Sequence, residues 1–230
     1  MRSSSEWAAG MRTADAWPDE DSLIAFAREG DEAAFERLVA PHRGEIHSLC
    51  YRMLGSAHDA EDALQEALLR AWRAMPRFEG RSSMRTWLHR IATNVCLDEL
   101  GRRTRRVIPT RADAPVRLEP YPDEAIGVAD ETPGPAASYE QRETLELAFV
   151  AALQPLPPRQ RAAFVLRDVL AFPAADAARM LAVSPASVNS ALQRARGKIS
   201  ERLPDHSQQE ELEHPDDGLR EFVRRLVTAA

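Results

Sequence analysis

Polar side chains gather on one side of a predicted helix near the C-terminal end, over residues 185–199. The apolar positions of this helix recur at helical spacing, at Val188, Ala191, Leu192, Ala195 and Ile199. The side chains left to face outward are Ser187, Asn189, Ser190, Gln193, Arg194 and Arg196. Asparagine and glutamine can hydrogen-bond the edge of adenine, and arginine that of guanine, so this face could read DNA bases. A solvated polar face on an ordinary helical hairpin is the alternative.

The segment before this helix favours the DNA interpretation. Pro173 predicts the start of a short helix that runs to Leu181, and Ser184 followed by Pro185 supplies a helix cap and a first helical residue. A short helix, a tight turn and a helix with a polar outer face are typical of a helix-turn-helix, whose second helix enters the major groove.

A second candidate surface lies on a helix predicted over residues 59–75. Small and apolar side chains mark its buried side, and the opposite side carries Asp62, Gln65, Glu66 and Leu69. The acidic residues of the first turn, Asp59 and Glu61, are explained equally well by the helix dipole. Gln65 and Glu66 lie too far along the helix for that explanation, so we expect an exposed patch that could meet a basic partner.

A third candidate surface joins a predicted loop over 78–83 to a helix that starts near residue 84. Aromatic rings for stacking on bases and arginines for contacting phosphates are what a single-stranded nucleic-acid site needs. The core is the alternative for the tryptophans: Trp72 fits the core, and Trp87 fits either place. The candidate residues are Phe78, Arg81, Ser82, Ser83, Trp87, Arg90, Asn94, Arg102 and Arg103.

The remaining chemistry-bearing residues do not predict an enzyme or a cofactor site. The ten glycines lack the spacings of phosphate-cradling loops, and no zinc-protease or nucleophile-elbow motif occurs. The two cysteines are far apart and predict buried thiols rather than a disulfide framework. A metal site or remnant enzyme built on His42, His47 and Cys50 is a minor alternative, because core and surface positions explain all three.

Composition predicts the architecture. Alanine and leucine total 61 residues against 18 for valine and isoleucine, which favours an all-α fold. Proline and acidic residues concentrate over 108–137, which predicts a flexible acidic linker between two small helical domains, 22–107 and 138–203. A disordered tail is expected over 1–21 and an acidic tail over 204–230. The net charge is −6, but basic blocks alternate with acidic ones along the chain. No stretch predicts a membrane span, so we expect a soluble cytoplasmic protein.

Together, these blocks resemble the extracytoplasmic-function (group IV) sigma factors of bacterial RNA polymerase. The resemblance is carried by the order and spacing of short stretches, namely 30–35 (GDEAAF), 59–66 (DAEDALQE), 70–72 (RAW), 86–88 (TWL), 91–94 (IATN), 156–161 (LPPRQR) and 194–196 (RAR). It implies a region 2 helical bundle over the first domain and a region 4 helix-turn-helix over the second.

The resemblance assigns roles to the three surfaces. Asp62, Gln65, Glu66 and Leu69 correspond to the face that binds core RNA polymerase. The 78–84 loop with Trp87, Arg90 and Asn94 corresponds to the element that captures a flipped base of the minus-10 strand. The second helix of the helix-turn-helix corresponds to the reader of the minus-35 element. The expected partners are core polymerase and promoter DNA, and an anti-sigma protein is a further candidate partner.

Two features depart from the family pattern. Asn189 and Ala191 stand where members often carry basic residues, which predicts weaker and less salt-sensitive minus-35 binding. An apolar stripe over 219–227 resembles the first helix of a SnoaL-like (NTF2-like) extension found in some members. Either this helix docks on the protein or a partner, or it begins a domain that does not follow. A stand-alone helix-turn-helix regulator is the alternative function, since it would need only the second domain.

Overall fold

The computed structural model describes residues 19–106 and 146–200. Within these ranges the protein is all-α, as composition predicts, with nine α-helices and no strand. The N-terminal domain holds α1 (Glu20–Arg28), α2 (Glu32–Val39), α3 (Arg43–Leu54), α4 (Ala57–Ala74) and α5 (Met84–Arg106). The C-terminal domain holds α6 (described over 146–153), α7 (Pro158–Phe164), α8 (Ala174–Leu181) and α9 (Pro185–Ser200). The predicted linker (108–137) and acidic tail (204–230) lie outside the described residues.

The helix ends of the N-terminal domain follow local sequence. The Asp31 carboxylate accepts a hydrogen bond from the Ala34 backbone N–H at 3.0 Å and caps α2. Pro41 lies in a 3₁₀ turn, Ala40–His42, which separates α2 from α3, because proline cannot donate the hydrogen bond of a helix interior. Gly55 ends α3 with a φ of 75°, a left-handed conformation that glycine adopts at little cost.

Helix α1 begins inside the segment that was expected to be a disordered tail, 1–21. Asp19 caps it through a 3.1 Å bond from the Ser22 N–H to its carboxylate, so Glu20 and Asp21 are helical. Both residues fall in the segment assigned to an N-terminal tail. The error arose because the first turn is entirely polar and has no apolar periodicity, although an aspartate followed by acidic residues is a usual helix start.

Helices α3, α4 and α5 pack against one another and enclose the core of the N-terminal domain. Trp72 is half-buried and packs edge-on against Phe35, with ring centroids 5.1 Å apart, so it lies against the core. The largest apolar side chains buried in this domain include Ile46, Leu49, Met53, Met75 and Leu88. Their burial fixes the direction of the exposed sides of α4 and α5.

The C-terminal domain confirms the predicted helix-turn-helix geometry. Helix α8 ends at Ala182 in a left-handed conformation, and the Ser184 hydroxyl accepts a 3.2 Å hydrogen bond from the Ser187 N–H at the start of α9. Val188, Leu192, Ala195 and Ile199 are buried, so α9 packs through the predicted stripe. No helix in the described ranges is long and apolar enough to cross a bilayer.

Candidate nucleic-acid interface

The outer face of α9 presents hydrogen-bonding side chains to solvent. Five of the six residues predicted to read DNA are exposed there: Ser187, Asn189, Ser190, Gln193 and Arg194. They are held outward because the opposite stripe of α9 packs on α7 and α8. A helix held in this way by two others can offer one rigid polar face to a groove.

Arg196, the sixth predicted residue, has another role. Its guanidinium donates two hydrogen bonds of 2.8 Å to the two carboxylate oxygens of Asp168. Both side chains are largely buried, 18% and 11% exposed. The prediction that Arg196 reads DNA is therefore corrected, because its donors are directed at Asp168 inside the domain.

The predicted face of α4 is exposed and partly self-paired. The Gln65 side chain donates to Glu61 at 3.1 Å, and Glu66 lies 2.7 Å from Arg70, which also bonds Asp98 at 3.0 Å. Glu66 is half-buried, whereas Asp62 and Gln65 are exposed. Leu69 is 49% exposed beside them. The face thus consists of an apolar residue surrounded by acidic and amide groups.

Two of the predicted single-strand residues lie inside the core. Phe78 and Trp87 are 4% and 7% exposed, and their rings pack against each other with centroids 4.9 Å apart. The expectation that these rings are open for stacking on a base is therefore corrected. Each ring gains more from burial against the other than it could at the surface.

The other residues of this surface divide by their partners. Arg90 and Asn94 are exposed on α5, and Ser82 and Ser83 lie at its start, where Ser83 accepts a 3.2 Å bond from the Thr86 N–H. Arg81 is exposed and pairs with its neighbour Glu79 at 2.7 Å.

Arg102 and Arg103 extend the surface along α5 but are both paired. Arg102 lies 3.2 Å from Glu99. Arg103 bonds Glu99 at 3.2 Å and Asp59 of α4 at 2.8 Å. The Arg103 pairing bridges α4 and α5, so its assignment to DNA is corrected to a helix-bridging role, and Asp59 gains a partner besides the helix dipole.

The residues of the metal alternative do not form a site. In the parts of the chain that the structure describes, no three His, Cys, Asp or Glu side chains are placed to hold a metal ion. Cys50 is fully buried, and a hydrogen bond with the Cys96 thiol together with burial raises its pKa well above its usual range. Burial also lowers the pKa of His47, which lies 3.6 Å from Glu61.

Sequence reasoning missed a set of buried polar residues. Arg161, His89 and Thr93 are buried on helix sides that otherwise carry apolar residues. The position of Arg161 on the apolar side of α7, between Pro157 and Phe164, is the signal that could have identified it. A buried arginine needs fixed acceptors around it.

Two protein-family models match this chain. Residues 38–106 match the family model for Sigma-70 region 2, and residues 146–199 match that for Sigma-70, region 4. The ECF RNA polymerase sigma factor SigM of Mycobacterium tuberculosis is 38% identical over 79% of this chain and 83% of its own length. The chain belongs to the ECF family of RNA polymerase sigma factors.

Another ECF sigma factor, SigG of Mycobacterium tuberculosis, is 46% identical over 88% of this chain. That match covers 56% of SigG, so the chain spans little more than half the length of this relative. Among solved structures, CnrH in complex with the cytosolic domain of CnrY has a TM-score of 0.54 and 29% identity, covering 82% of this chain and all of the other. RpoE of Bartonella quintana, in complex with the anti-sigma factor NepR, shares the fold, with a TM-score of 0.51 and 21% identity over 73% of this chain and 94% of that one.

Proposed function

We propose that this protein is a promoter-recognition subunit of RNA polymerase. It binds core polymerase through α4, reads the minus-10 element through the start of α5 and the minus-35 element through α9, and catalyses no reaction itself. One observation carries the proposal: a helix-turn-helix and an exposed acidic and apolar face on α4 occur in the same chain. A stand-alone DNA-binding regulator would need the helix-turn-helix but would not use the exposed face of α4.

The core-binding surface consists of Asp62, Gln65, Glu66 and Leu69. Exposed carboxylates steer a basic partner toward the surface, and an exposed leucine at their centre adds apolar area that is buried on binding. The pairing of Glu66 with Arg70 lowers the net charge at that position, so Leu69 and Gln65 are the better sites for a test.

The minus-10 surface consists of Arg81, Ser82, Ser83, Arg90, Asn94 and Arg102. Phe78 and Trp87 are buried beneath this surface, and the contact between their rings holds the 78–83 loop against α5. Asn94 offers an amide to the edge of an extruded base, and the arginines offer charge to phosphates. Arg81 and Arg102 would exchange a surface ion pair for a phosphate contact, at small cost.

The minus-35 surface consists of Ser187, Asn189, Ser190, Gln193 and Arg194. Asparagine and glutamine favour adenine, and Arg194 favours guanine or a phosphate. With a single arginine exposed among these five residues, we expect binding that depends on base contacts more than on salt.

The proposal extends to the rest of the chain. We assign region 2 to residues 22–107 and region 4 to 138–203, joined by the acidic linker. The apolar stripe over 219–227 supports membership of the subgroup with a SnoaL-like extension, and it lies outside the described residues. An anti-sigma protein is a further partner, by analogy with RpoE in its complex with NepR.

Promoter-specific transcription tests the proposal. The purified chain is added to bacterial core polymerase on fragmented host DNA, and the 5′ ends of the transcripts are sequenced. We expect defined start sites with shared upstream motifs. Leu69→Asp should abolish core binding and these starts, whereas Phe26→Asp, at another exposed large apolar side chain of this domain, should preserve both. Absence of core binding by the unaltered chain would favour the stand-alone regulator.

A further inference from the structure

Lys198 is the only lysine among the 230 residues of the chain, and it lies in the last turn of the recognition helix α9. It is exposed, and no acidic side chain within 19–106 and 146–200 forms an ion pair with it. Arg196 of the same helix is bound to Asp168. Arg194 and Lys198 are therefore the cations that the described part of α9 presents to solvent.

Helical spacing aligns Lys198 with the residues proposed to read the minus-35 element. Ser187, Ser190, Arg194 and Lys198 follow one another at intervals of three, four and four residues, which places them on one side of a helix. All four are exposed. An α-helix rises about 1.5 Å per residue, so Lys198 lies about 16 Å beyond Ser187 along the helix axis.

This distance places Lys198 at the DNA backbone rather than at the bases. A recognition helix puts its N-terminal residues against base edges, and the major groove is about 12 Å wide. When Ser187 lies at the bases, the end of α9 therefore extends to the sugar–phosphate chain at the edge of the groove. A lysine ammonium is a compact point charge, which suits a phosphate oxygen.

The turn around Lys198 is open to such a contact. Its neighbour Gly197 is exposed, and a Cβ at position 197 would have no neighbour within 4 Å among the described residues outside its own turn of α9. Glycine leaves room for another backbone to approach closely. Ile199, on the opposite side, is buried and holds this end of α9 against the domain. A DNA strand can therefore approach Lys198 without displacing any described side chain.

We propose that Lys198 contacts a phosphate beside the minus-35 element and that acylation of this single lysine weakens DNA binding. This inference rests on the proposed function. In the modification, Nζ attacks the carbonyl carbon of an acyl phosphate, so that an N–C bond forms and the C–O bond to phosphorus breaks. Inorganic phosphate leaves with the bonding electron pair, and Nζ loses a proton to water. The product is a neutral amide, which cannot replace a counterion of the DNA.

Acetyl phosphate and two DNA duplexes test this proposal on the full chain. One duplex carries an upstream motif found by the mapping of transcript starts, and the other has a mixed sequence. Intact mass should show one acetyl group more on the wild type than on Lys198→Arg, since the terminal amine is common to both. At about 0.15 M salt, acetylation should weaken wild-type binding to both duplexes about fivefold and lower the logarithmic salt slope by about 0.9, as expected for one lost phosphate contact.

Three variants identify the site of the effect. Lys198→Gln, which removes the charge without any treatment, should match the acetylated wild type. Lys198→Arg should keep its affinity and its salt slope before and after treatment. Arg28→Gln, which removes the same charge from an exposed position on α1, is the matched control and should bind like the wild type. Circular dichroism checks that every variant keeps its helix content.

Several results would overturn the proposal. These are wild-type affinity in Lys198→Gln, an unreacted Lys198, and an equal loss of affinity by the treated Lys198→Arg. A loss confined to the motif duplex would also overturn it, because that pattern belongs to a base contact. Absence of defined transcript starts or of core binding would instead count against the proposed function, since the mixed-sequence duplex measures the phosphate contact without polymerase or a promoter.

Discussion

Arg196 and Asp168 form a two-bond ion pair across the C-terminal domain, joining α9 to the π-helical turn Val165–Val169. Arg194, two residues before Arg196, is exposed on the outer face of α9. Two arginines of one short motif therefore have different tasks. One fixes the angle of the recognition helix, and the other remains available to DNA.

The first prediction separates these tasks. Arg196→Ala should lower the free energy of unfolding by about 3 kcal/mol, because it leaves the largely buried Asp168 carboxylate without its charged partner. Arg194→Ala should leave stability unchanged within about 0.5 kcal/mol and weaken binding to minus-35 DNA. Urea unfolding and fluorescence anisotropy with a duplex measure the two effects. Equal stability of both variants would show that the ion pair contributes little.

The second prediction concerns the minus-10 surface. Asn94→Ala should reduce open-complex formation without changing the melting temperature, since the Asn94 side chain is exposed. Trp87→Ala should instead destabilise the protein by about 4 kcal/mol, because it leaves a cavity beside Phe78. Permanganate footprinting of the melted strand and thermal unfolding measure these effects. If Asn94→Ala lowered stability as much as activity, Asn94 would be structural.

The third prediction concerns acid. His89 is fully buried, its Nδ1 donates to the Arg85 carbonyl at 2.7 Å, and its ring packs 5.0 Å from that of Phe172. Burial lowers the pKa of His89 to about 4, against the opposing effect of Glu45. Because the unfolded chain takes up this proton near pH 6.5 and the folded chain only near pH 4, stability should fall by about 3 kcal/mol as pH drops through that window.

The variant His89→Phe keeps an aromatic ring beside Phe172 and removes the titrating group. Urea unfolding of both proteins between pH 7 and 4 should therefore show a steeper loss for the wild type. His42, Glu45 and Arg85 also surround the site and are present in both proteins, so their contribution cancels in the comparison. Parallel pH profiles would mean that another group causes the acid sensitivity.

The fourth prediction concerns salt. Asn189→Arg adds a cation to the exposed face of α9, so DNA binding should strengthen and its logarithmic dependence on salt should steepen by about one. Binding to a duplex at several salt concentrations measures the slope. Ala33→Arg, which adds the same charge on α2, is the control and should change the slope much less. Equal slopes for the two variants would place α9 away from the phosphates.

Local rules predicted the helices well and the roles of some polar residues poorly. The start of α8 after Pro173 and the start of α9 at Pro185 each depend on a few adjacent residues, so the sequence identifies them. Arg196 and Arg103 look equally suited to DNA in sequence because helical spacing places both away from the apolar stripe. What decides their roles is an acid brought close by the fold, Asp168 or Asp59.

The burial of Trp87 and the contact between the domains were beyond the same rules. A tryptophan at the edge of an apolar stripe is buried only if another ring, here Phe78, covers it. Arg85 and Arg161 bind carbonyl oxygens of the other domain, and backbone acceptors carry no signature in the sequence. Such contacts follow from the packing of the two domains, which composition and periodicity do not specify.

Two structural features restrict which residues position 55 can accept: its backbone conformation and the close approach of Gln154. Its φ of 75° suits glycine, and asparagine also adopts this conformation with little strain. A Cβ at this position would stand 2.8 Å from Cδ of Gln154, whose amide and carbonyl are already engaged by Arg52 and Arg161. Asparagine at position 55 would therefore adopt the left-handed turn conformation but would clash with Gln154 of the C-terminal domain. In a mutational scan under selection, position 55 could reject asparagine as strongly as it rejects alanine. That result would mean that the contact with Gln154 of the C-terminal domain restricts this position, and not the backbone conformation of Gly55.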